Sequence, residues 1–221
     1  MAEYDVVGDV HGCLHTLHRL LGELGYDAAG RHPAGRRLAF VGDLVNRGLH
    51  SERTFLYIMG LVGMGRASVV RGNQDLVWVQ QNPGLGRWIR SMPLQLLVDD
   101  DRLLIVHAAV TADVIGRTDA GAERWCLLGN PGVDEAGNET RPDWQAGYDG
   151  APFVVAGHSV VREPRFRSGG GGSVIIDTGA SHGANARDRF TGERFDGHLS
   201  ALRWPERTTI GVPTDPRDLP G

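Results

Sequence analysis

The chain has 221 residues, of which 41% are hydrophobic and 23% are charged, and its formal net charge is −4. This composition is ordinary for a globular protein, and no apolar run is long enough to cross a bilayer, so we expect no membrane partner. The negative charge gives no general attraction to nucleic acid, and we therefore expect no obligatory nucleic-acid partner.

The N-terminus leads directly into an apolar run at Tyr4–Val7. Because no basic segment with a long apolar stretch precedes it, we expect no signal peptide and a cytoplasmic location. The two cysteines, Cys13 and Cys126, form no CxxC pair, which favours reduced thiols over a disulfide framework or a thiolate zinc site. We predict one domain over residues 1–212 and a loose tail over residues 213–221.

The first half of the chain repeats one unit: a short apolar strand, a loop containing Gly-Asp or Gly-Asn, and a helix. Leucines at helical spacing after the first loop illustrate the pattern. Polar residues at the carboxyl ends of strands are where open α/β sheets place ligands. The predicted strands cover residues 4–7, 37–41 and 67–70, and the helices follow near residues 14–24, near residues 52–62 and beyond residue 75.

The second half has shorter strand-like runs and fewer helical patterns. Together the two halves predict an α/β fold, in which a two-sheet β-sandwich is flanked by helices and the active site lies at the carboxyl ends of the strands. The further predictions are a hairpin of residues 94–98 and 103–106, strands at 153–156, 174–176 and 199–203, an irregular excursion at 129–150, and a flexible hairpin tip at 169–172.

Residues suited to bind metal follow these strands. Two divalent cations in one pocket require a bridging carboxylate together with neutral nitrogen and amide oxygen ligands on converging loops. Taken singly, a Gly-Asp pair is usually a turn and a buried histidine is usually a core residue. Their succession after apolar strands favours a metal centre instead. The candidate ligands are Asp9, His11, Asp43, Asn73, His107 and His158.

These motifs resemble the signature of the calcineurin-like metallophosphoesterases. The matching segments are Gly8-Asp9-x-His11-Gly12, Gly42-Asp43-x-x-x-Arg47-Gly48, Gly72-Asn73, His107-Ala108 and Gly157-His158. The chain is also similar to one branch of the family, which holds bis-nucleosyl tetraphosphatase-like and serine/threonine phosphatase-like enzymes and the central domain of bacterial polynucleotide kinase-phosphatases. The segments similar to that branch are Arg141-Pro-Asp-Trp144, Gly157-His158-Ser159-Val160, Asp177-Thr178-Gly179 and residues 199–206.

The resemblance implies two divalent metal ions, with Mn²⁺ favoured and Fe or Zn²⁺ as alternatives. It implies that a water bridging the metals loses a proton and attacks phosphorus. Arg47 and Arg141 would bind the substrate phosphate, and Asp177 would orient the metal ligands. It assigns Asp9, His11 and Asp43 to the first metal, and Asp43, Asn73, His107 and His158 to the second.

Two positions depart from the family pattern. Relatives carry an Asp-His dyad that protonates the departing alkoxide, whereas this chain has Asn46 and Gln74. Amides can hydrogen-bond across that gap but cannot deliver a proton near neutral pH. Because general acid catalysis contributes about 10²- to 10⁴-fold, we expect alkyl phosphates to be hydrolysed more slowly by about that factor.

Three interpretations remain open from the sequence. The protein is a hydrolase for a substrate with a good leaving group, such as a phosphoanhydride, an aryl phosphate or an anomeric sugar phosphate. Alternatively it recruits another acid, for which His182 is a candidate, because residues 181–197 resemble an insertion after the Asp177 loop. In the third interpretation it is an inactive module that binds metal and phosphate. The partner is predicted to be a phosphorylated small molecule, a nucleotide or a phosphoprotein.

Overall fold

A computed structural model of the chain describes residues 2–167 and 172–220. Its strands lie in two five-stranded sheets and two small two-stranded ribbons. In chain order they are β1 (Tyr4–Val7), β2 (Arg37–Phe40), β3 (Ala67–Val69), β4 (Gln95–Val98), β5 (Leu103–Val106), β6 (Gly132–Val133), β7 (Glu139–Thr140), β8 (Phe153–Ala156), β9 (Arg165–Arg167), β10 (Ser173–Ile175), β11 (Ala186–Arg187), β12 (Arg194–Phe195), β13 (His198–Trp204) and β14 (Thr208–Pro213).

The helices lie outside the sheets, and none of the described helices is both long and apolar enough to cross a membrane. They are α1 (Leu14–Leu24), α2 (Ser51–Gly63), α3 (Asn73–Gln81), α4 (Gly86–Ser91), α5 (Ala120–Leu128) and α6 (Trp144–Gly147), with 3-10 turns at Pro83–Leu85, Ala180–Asn185 and Pro216–Asp218. Helix α1 buries the leucines at positions 14, 17, 21 and 24, and it ends at Gly25, whose φ of 96° suits a residue without a side chain.

The first sheet has the order β14-β13-β1-β2-β3, and the second has the order β4-β5-β8-β10-β9. Within each sheet three neighbouring strands are parallel: β1, β2 and β3 in one, and β5, β8 and β10 in the other. Buried side chains of both sheets meet in a core between them, and two further apolar clusters pack helices onto the outer faces. The predicted two-sheet sandwich flanked by helices is therefore confirmed.

Most predicted elements are present with ends shifted by one or two residues, but the excursion at 129–150 is more regular than expected. It contains the ribbon of β6 and β7 followed by α6. The predicted hairpin tip at 169–172 falls largely on residues 168–171, which lie outside the described residues. Strands β9 and β10 on either side of it are antiparallel.

The loose tail predicted for residues 213–221 is wrong for the residues that the structure describes. Strand β14 continues to Pro213, and the carboxylate of the fully buried Asp218 accepts hydrogen bonds from the backbone N–H groups of His15 and Thr16 at 3.0 and 2.8 Å. The Thr16 hydroxyl donates to the same carboxylate at 2.6 Å. Because Cys13 at the N-cap of α1 supplies no side-chain bond, the tail provides the cap of this helix.

A buried ion-pair network lies near the amino-terminal ends of β1 and β2. Nε of Arg36 lies 3.1 Å from both carboxylate oxygens of Asp5, and the guanidinium also pairs with Glu3 and Glu206. The Asp5 side chain is fully buried and accepts a further hydrogen bond from the Tyr26 hydroxyl at 2.9 Å. This carboxylate therefore depends on its partners for compensation of its charge.

Candidate metal centre

The six predicted ligands come together at one edge of the sandwich. Five of them lie in loops after parallel strands, and Asn73 is the first residue of α3, which follows β3. The carboxyl ends of parallel strands meet at the same edge of a sheet. Two groups of side chains place their ligand atoms within 4.8 Å of one another, and they share one carboxylate, that of Asp43. The first group is Asp9, His11 and Asp43, and the second is Asp43, His107 and His158. Asn73 lies beside the second group, with Oδ1 3.0 Å from Nε2 of His107.

Unusual backbone conformations aim these side chains at the pocket. His11, Asp43 and His158 have φ values of 48°, 47° and 64°, in the left-handed region that non-glycine residues rarely adopt. The neighbouring chains approach closely, since a Cβ on Gly157 would clash with a carboxylate oxygen of Asp9 and one on Gly72 would clash with Asp43. Such strain persists where the surrounding structure holds it, and it often marks functional sites.

Backbone carbonyls fix the orientation of two histidine rings. Nδ1 of His11 lies 3.1 Å from the carbonyl oxygen of Val45, and Nδ1 of His107 lies 2.9 Å from that of Val41. A carbonyl oxygen only accepts, so each Nδ1 carries the proton and each Nε2 presents a lone pair to Asp43. Burial lowers the pKa of His11 to about 3 and that of His107 to about 4. Both rings are therefore neutral, which is the form that binds metal.

The protein supplies too little positive charge to keep the pKa values of the pocket carboxyl groups in their usual range. Burial, with the neighbouring Asp177 and Asp43, raises the pKa of Asp9 well above its usual value, and burial raises the pKa of Asp43 to about 7. The pKa of Asp177 is raised as well, mainly by burial. Lone pairs also face one another, because Nε2 of His107 lies 3.5 Å from Oδ1 of Asp43. This set of oxygen and nitrogen donors fits divalent cations, which would relieve both conflicts.

The two residues at the dyad positions are in direct contact. Nδ2 of Asn46 donates to Oε1 of Gln74 at 2.8 Å, while Oδ1 of Asn46 accepts from the backbone N–H of Arg47 at 3.1 Å. The backbone N–H of Gln74 donates to Oδ1 of Asp43 at 2.8 Å. These bonds fix both amides, and they leave the side-chain NH₂ group of Gln74 as a donor beside the metal centre.

The predicted arginines reach the site from different loops. Nη1 of Arg141 lies 2.6 Å from Nε2 of His158, and its Nε pairs with Glu139 at 2.6 Å. Nη1 of the exposed Arg47 donates to Nε2 of His182 at 2.6 Å. Burial and the charge of Arg47 lower the pKa of His182, so this histidine is neutral near pH 7. The predicted insertion thus reaches the site, although its histidine contacts an arginine.

Asp177 lies among the buried carboxylates without touching a predicted ligand. Its Oδ1 accepts the backbone N–H of Gly179 at 3.0 Å, and within the described residues it forms no hydrogen bond to the six candidates. Sequence reasoning missed Asp75, which is fully buried and joins two of the loops. Its oxygens accept the backbone N–H groups of Leu44 at 2.8 Å and Gly72 at 3.0 Å. The signal available was an acidic residue three positions after Gly72, the spacing of a capping box.

Comparison with known proteins identifies the family of the chain. The model of the calcineurin-like phosphoesterase family matches residues 4–162. Bis(5'-nucleosyl)-tetraphosphatases PrpE [asymmetrical] of Anoxybacillus flavithermus and Bacillus anthracis are each 33% identical to the chain, over 96% of its length and 94% of theirs.

Solved structures agree on the fold. One protein to which diadenosine tetraphosphatase activity has been ascribed superposes with a TM-score of 0.69 at 20% identity, covering 97% of this chain and 95% of its own. A serine/threonine phosphatase of Saccharomyces cerevisiae superposes with a TM-score of 0.61 at 14% identity, covering 99% of this chain and 81% of its own. With the matches in sequence and in fold, the chain belongs to the calcineurin-like phosphoesterase family and is a phosphoesterase hydrolase.

Proposed function

We propose that the protein hydrolyses a phosphoanhydride bond in bis(5'-nucleosyl) tetraphosphates, releasing a nucleoside triphosphate and a nucleoside monophosphate. The observation that carries the proposal is the hydrogen-bonded amide pair of Asn46 and Gln74, which stands where a proton donor is expected. The names of the relatives that are 33% identical over nearly their whole length support the same substrate class.

The leaving group explains why this pair suits an anhydride. A departing alkoxide is strongly basic and needs a proton near neutral pH, whereas the terminal phosphate of a nucleoside triphosphate, with a pKa of about 6, leaves as a stable anion. The Gln74 amide can donate a hydrogen bond to that departing oxygen without transferring a proton. Replacing the acid dyad by an amide pair therefore slows the hydrolysis of an anhydride only slightly, whereas it slows the hydrolysis of an alkyl ester strongly.

In this proposal one divalent cation would be held by Asp9, His11 and Asp43. The second would be held by Asp43 together with Asn73, His107 and His158. The neutral rings and buried carboxylates described above support these assignments. The donor set suits Mn²⁺, Fe or Zn²⁺, and the family resemblance favours Mn²⁺. When bound, the cations lower the pKa of a coordinated water and neutralise charge on the phosphoryl group.

The arginines bind and orient the phosphoryl group that is attacked. The guanidiniums of Arg47 and Arg141 carry permanent charge and match the oxygens of a phosphate in pairs. His182 positions Arg47, because its Nε2 accepts a hydrogen bond from that guanidinium. The same contact disfavours His182 as a replacement acid, since the nitrogen facing Arg47 carries no proton. Asp177 contributes negative charge behind the ligands.

The test compares three substrates with the purified protein and Mn²⁺: diadenosine tetraphosphate, nitrophenyl phosphate and glycerol 3-phosphate. We expect ATP and AMP from the first, turnover of the second, and a rate on the third at least about 10²-fold lower. Two ADP molecules from the first substrate, or no turnover of it, would refute the proposed reaction. Equal rates on the two monoesters would reveal another proton donor. Binding of Mn²⁺ and phosphate without any turnover would identify an inactive module.

A further inference from the structure

The inserted segment contains a further arginine, Arg189, in the turn of a short ribbon. A ribbon of β11 and β12 ends in a tight turn, in which the carboxylate of Asp188 accepts the backbone N–H groups of Phe190 at 2.8 Å and Thr191 at 2.9 Å. Arg189 occupies this turn. The turn is therefore an ordered structure, held by its own aspartate.

The turn is attached to the loop that carries His158. The backbone N–H of Arg189 donates to the carbonyl oxygen of Val160 at 2.8 Å, and the backbone N–H of Arg162 donates to Oδ2 of Asp188 at 2.8 Å. Both anchors use backbone groups or the aspartate, so the Arg189 side chain is not needed to hold the turn. The anchors hold the backbone of Arg189 against Val160, two residues after the candidate ligand His158.

Arg189 and Arg141 both contact the loop that carries His158: the backbone N–H of Arg189 donates to Val160, and Nη1 of Arg141 lies 2.6 Å from Nε2 of His158. The charges of the two side chains interact, since reduced solvation and the charge of Arg141 lower the pKa of Arg189. Glu139 pairs with Arg141, whereas Arg189 forms no salt bridge with any carboxylate among residues 2–167 and 172–220. Two arginines at one loop, of which only Arg141 pairs with a carboxylate in the described residues, form a favourable site for an anion with several charges.

We propose that Arg189 binds a phosphate group of the polyphosphate chain next to the phosphoryl group that Arg47 and Arg141 hold for attack. This inference rests on the proposed function and names the residue that selects a polyphosphate over a monophosphate. A monophosphate is held by the metals and by Arg47 and Arg141, and it has no group to place against Arg189. A tetraphosphate has further charged groups, and they extend toward the inserted turn.

The experiment uses two inhibitors of nitrophenyl phosphate hydrolysis, inorganic tripolyphosphate and orthophosphate. In the Arg189→Ala variant we expect the inhibition constant of tripolyphosphate to rise about 10-fold, the loss of one charge-assisted contact, while that of orthophosphate changes less than about 2-fold. Arg189→Lys should recover part of the loss. Arg187→Ala is the matched control, since it removes an exposed charge from the same ribbon. Nη1 of Arg187 donates to the carbonyl oxygen of Gly192 at 3.1 Å. It should leave both constants unchanged.

An unchanged constant for tripolyphosphate in Arg189→Ala would overturn the inference, as would an equal effect of Arg187→Ala or an equal loss for both inhibitors. These readouts do not require hydrolysis of diadenosine tetraphosphate, so failure of the proposed function is seen separately in the substrate panel. If nitrophenyl phosphate is not turned over, calorimetric titration of the Mn²⁺-loaded protein with tripolyphosphate and orthophosphate makes the same comparison between variants.

Discussion

Restoring the acid dyad with the double substitution Asn46→Asp and Gln74→His tests the central argument. The existing pair is joined at 2.8 Å, and each residue has a separate anchor in the backbone: Asn46 accepts from Arg47, and the N–H of Gln74 donates to Asp43. An aspartate can keep the first anchor with one oxygen and hold an imidazole with the other. The substitution therefore changes the proton donor while the loops retain their bonds.

The expected gain follows from the contribution of general acid catalysis. That contribution is about 10²- to 10⁴-fold, equivalent to about 3 to 5 kcal/mol of barrier for an alkyl leaving group. We expect the lower end, a rise of about 10²-fold on glycerol 3-phosphate, because the imidazole must align in loops that now hold an amide at position 74. Diadenosine tetraphosphate should change less than about 10-fold, since its leaving group needs no proton.

The assay measures kcat/KM for both substrates between pH 6 and 9. An imidazole paired with a carboxylate has a raised pKa, and its acid form is lost as the pH rises through that pKa. The alkyl phosphatase activity of the double variant should therefore fall at alkaline pH. In the natural chain neither dyad position titrates, so the ratio of the two rates should be flat with pH. The single variants Asn46→Asp and Gln74→His serve as controls. No gain on glycerol 3-phosphate in a double variant that still binds Mn²⁺ would refute the reasoning.

Three further predictions concern the metal centre and the stability of the fold. Asp43→Asn should remove binding of both Mn²⁺ ions in calorimetry, because the lost carboxylate is the one shared by the two ligand groups; one ion retained at full affinity would argue against a bridging role. Arg36→Met should lower the free energy of unfolding in urea by about 3 kcal/mol, since it removes the closest cation from the buried side chain of Asp5. A loss below about 1 kcal/mol would mean that other groups compensate this carboxylate. Asp218→Ala should cost about 1 to 2 kcal/mol in the same assay by removing the cap at Thr16, and an unchanged midpoint would show that the tail contributes nothing to α1.

Local patterns in the sequence were sufficient to predict the sheets and the order of the ligand loops. Short apolar runs ending in Gly-Asp, Gly-Asn or Gly-His predicted the strands within one or two residues. They also predicted the side of the sandwich where Asp43 and His107 meet. Periodicity and glycine act over a few residues, so they can be read without knowledge of the rest of the fold.

Other features depend on contacts between distant segments. Asp218 caps a helix that begins some two hundred positions earlier, and His182 reaches Arg47 from the far end of the chain. Nothing near Asp218 in the sequence indicates a cap, and the tail was wrongly expected to be loose.

The sequence by itself predicted which residues could bind metal, that amides stand where the family pattern has a proton donor, and that the fold is an α/β sandwich. Only the tertiary structure decided that Asp75 joins two loops, that His182 is engaged with Arg47, and that Arg189 is anchored to the loop that carries His158. The physical reason is that hydrogen bonds and charge interactions between loops depend on how strands pair and sheets pack. Those arrangements are set by the whole core, whereas a motif reports only its own neighbourhood.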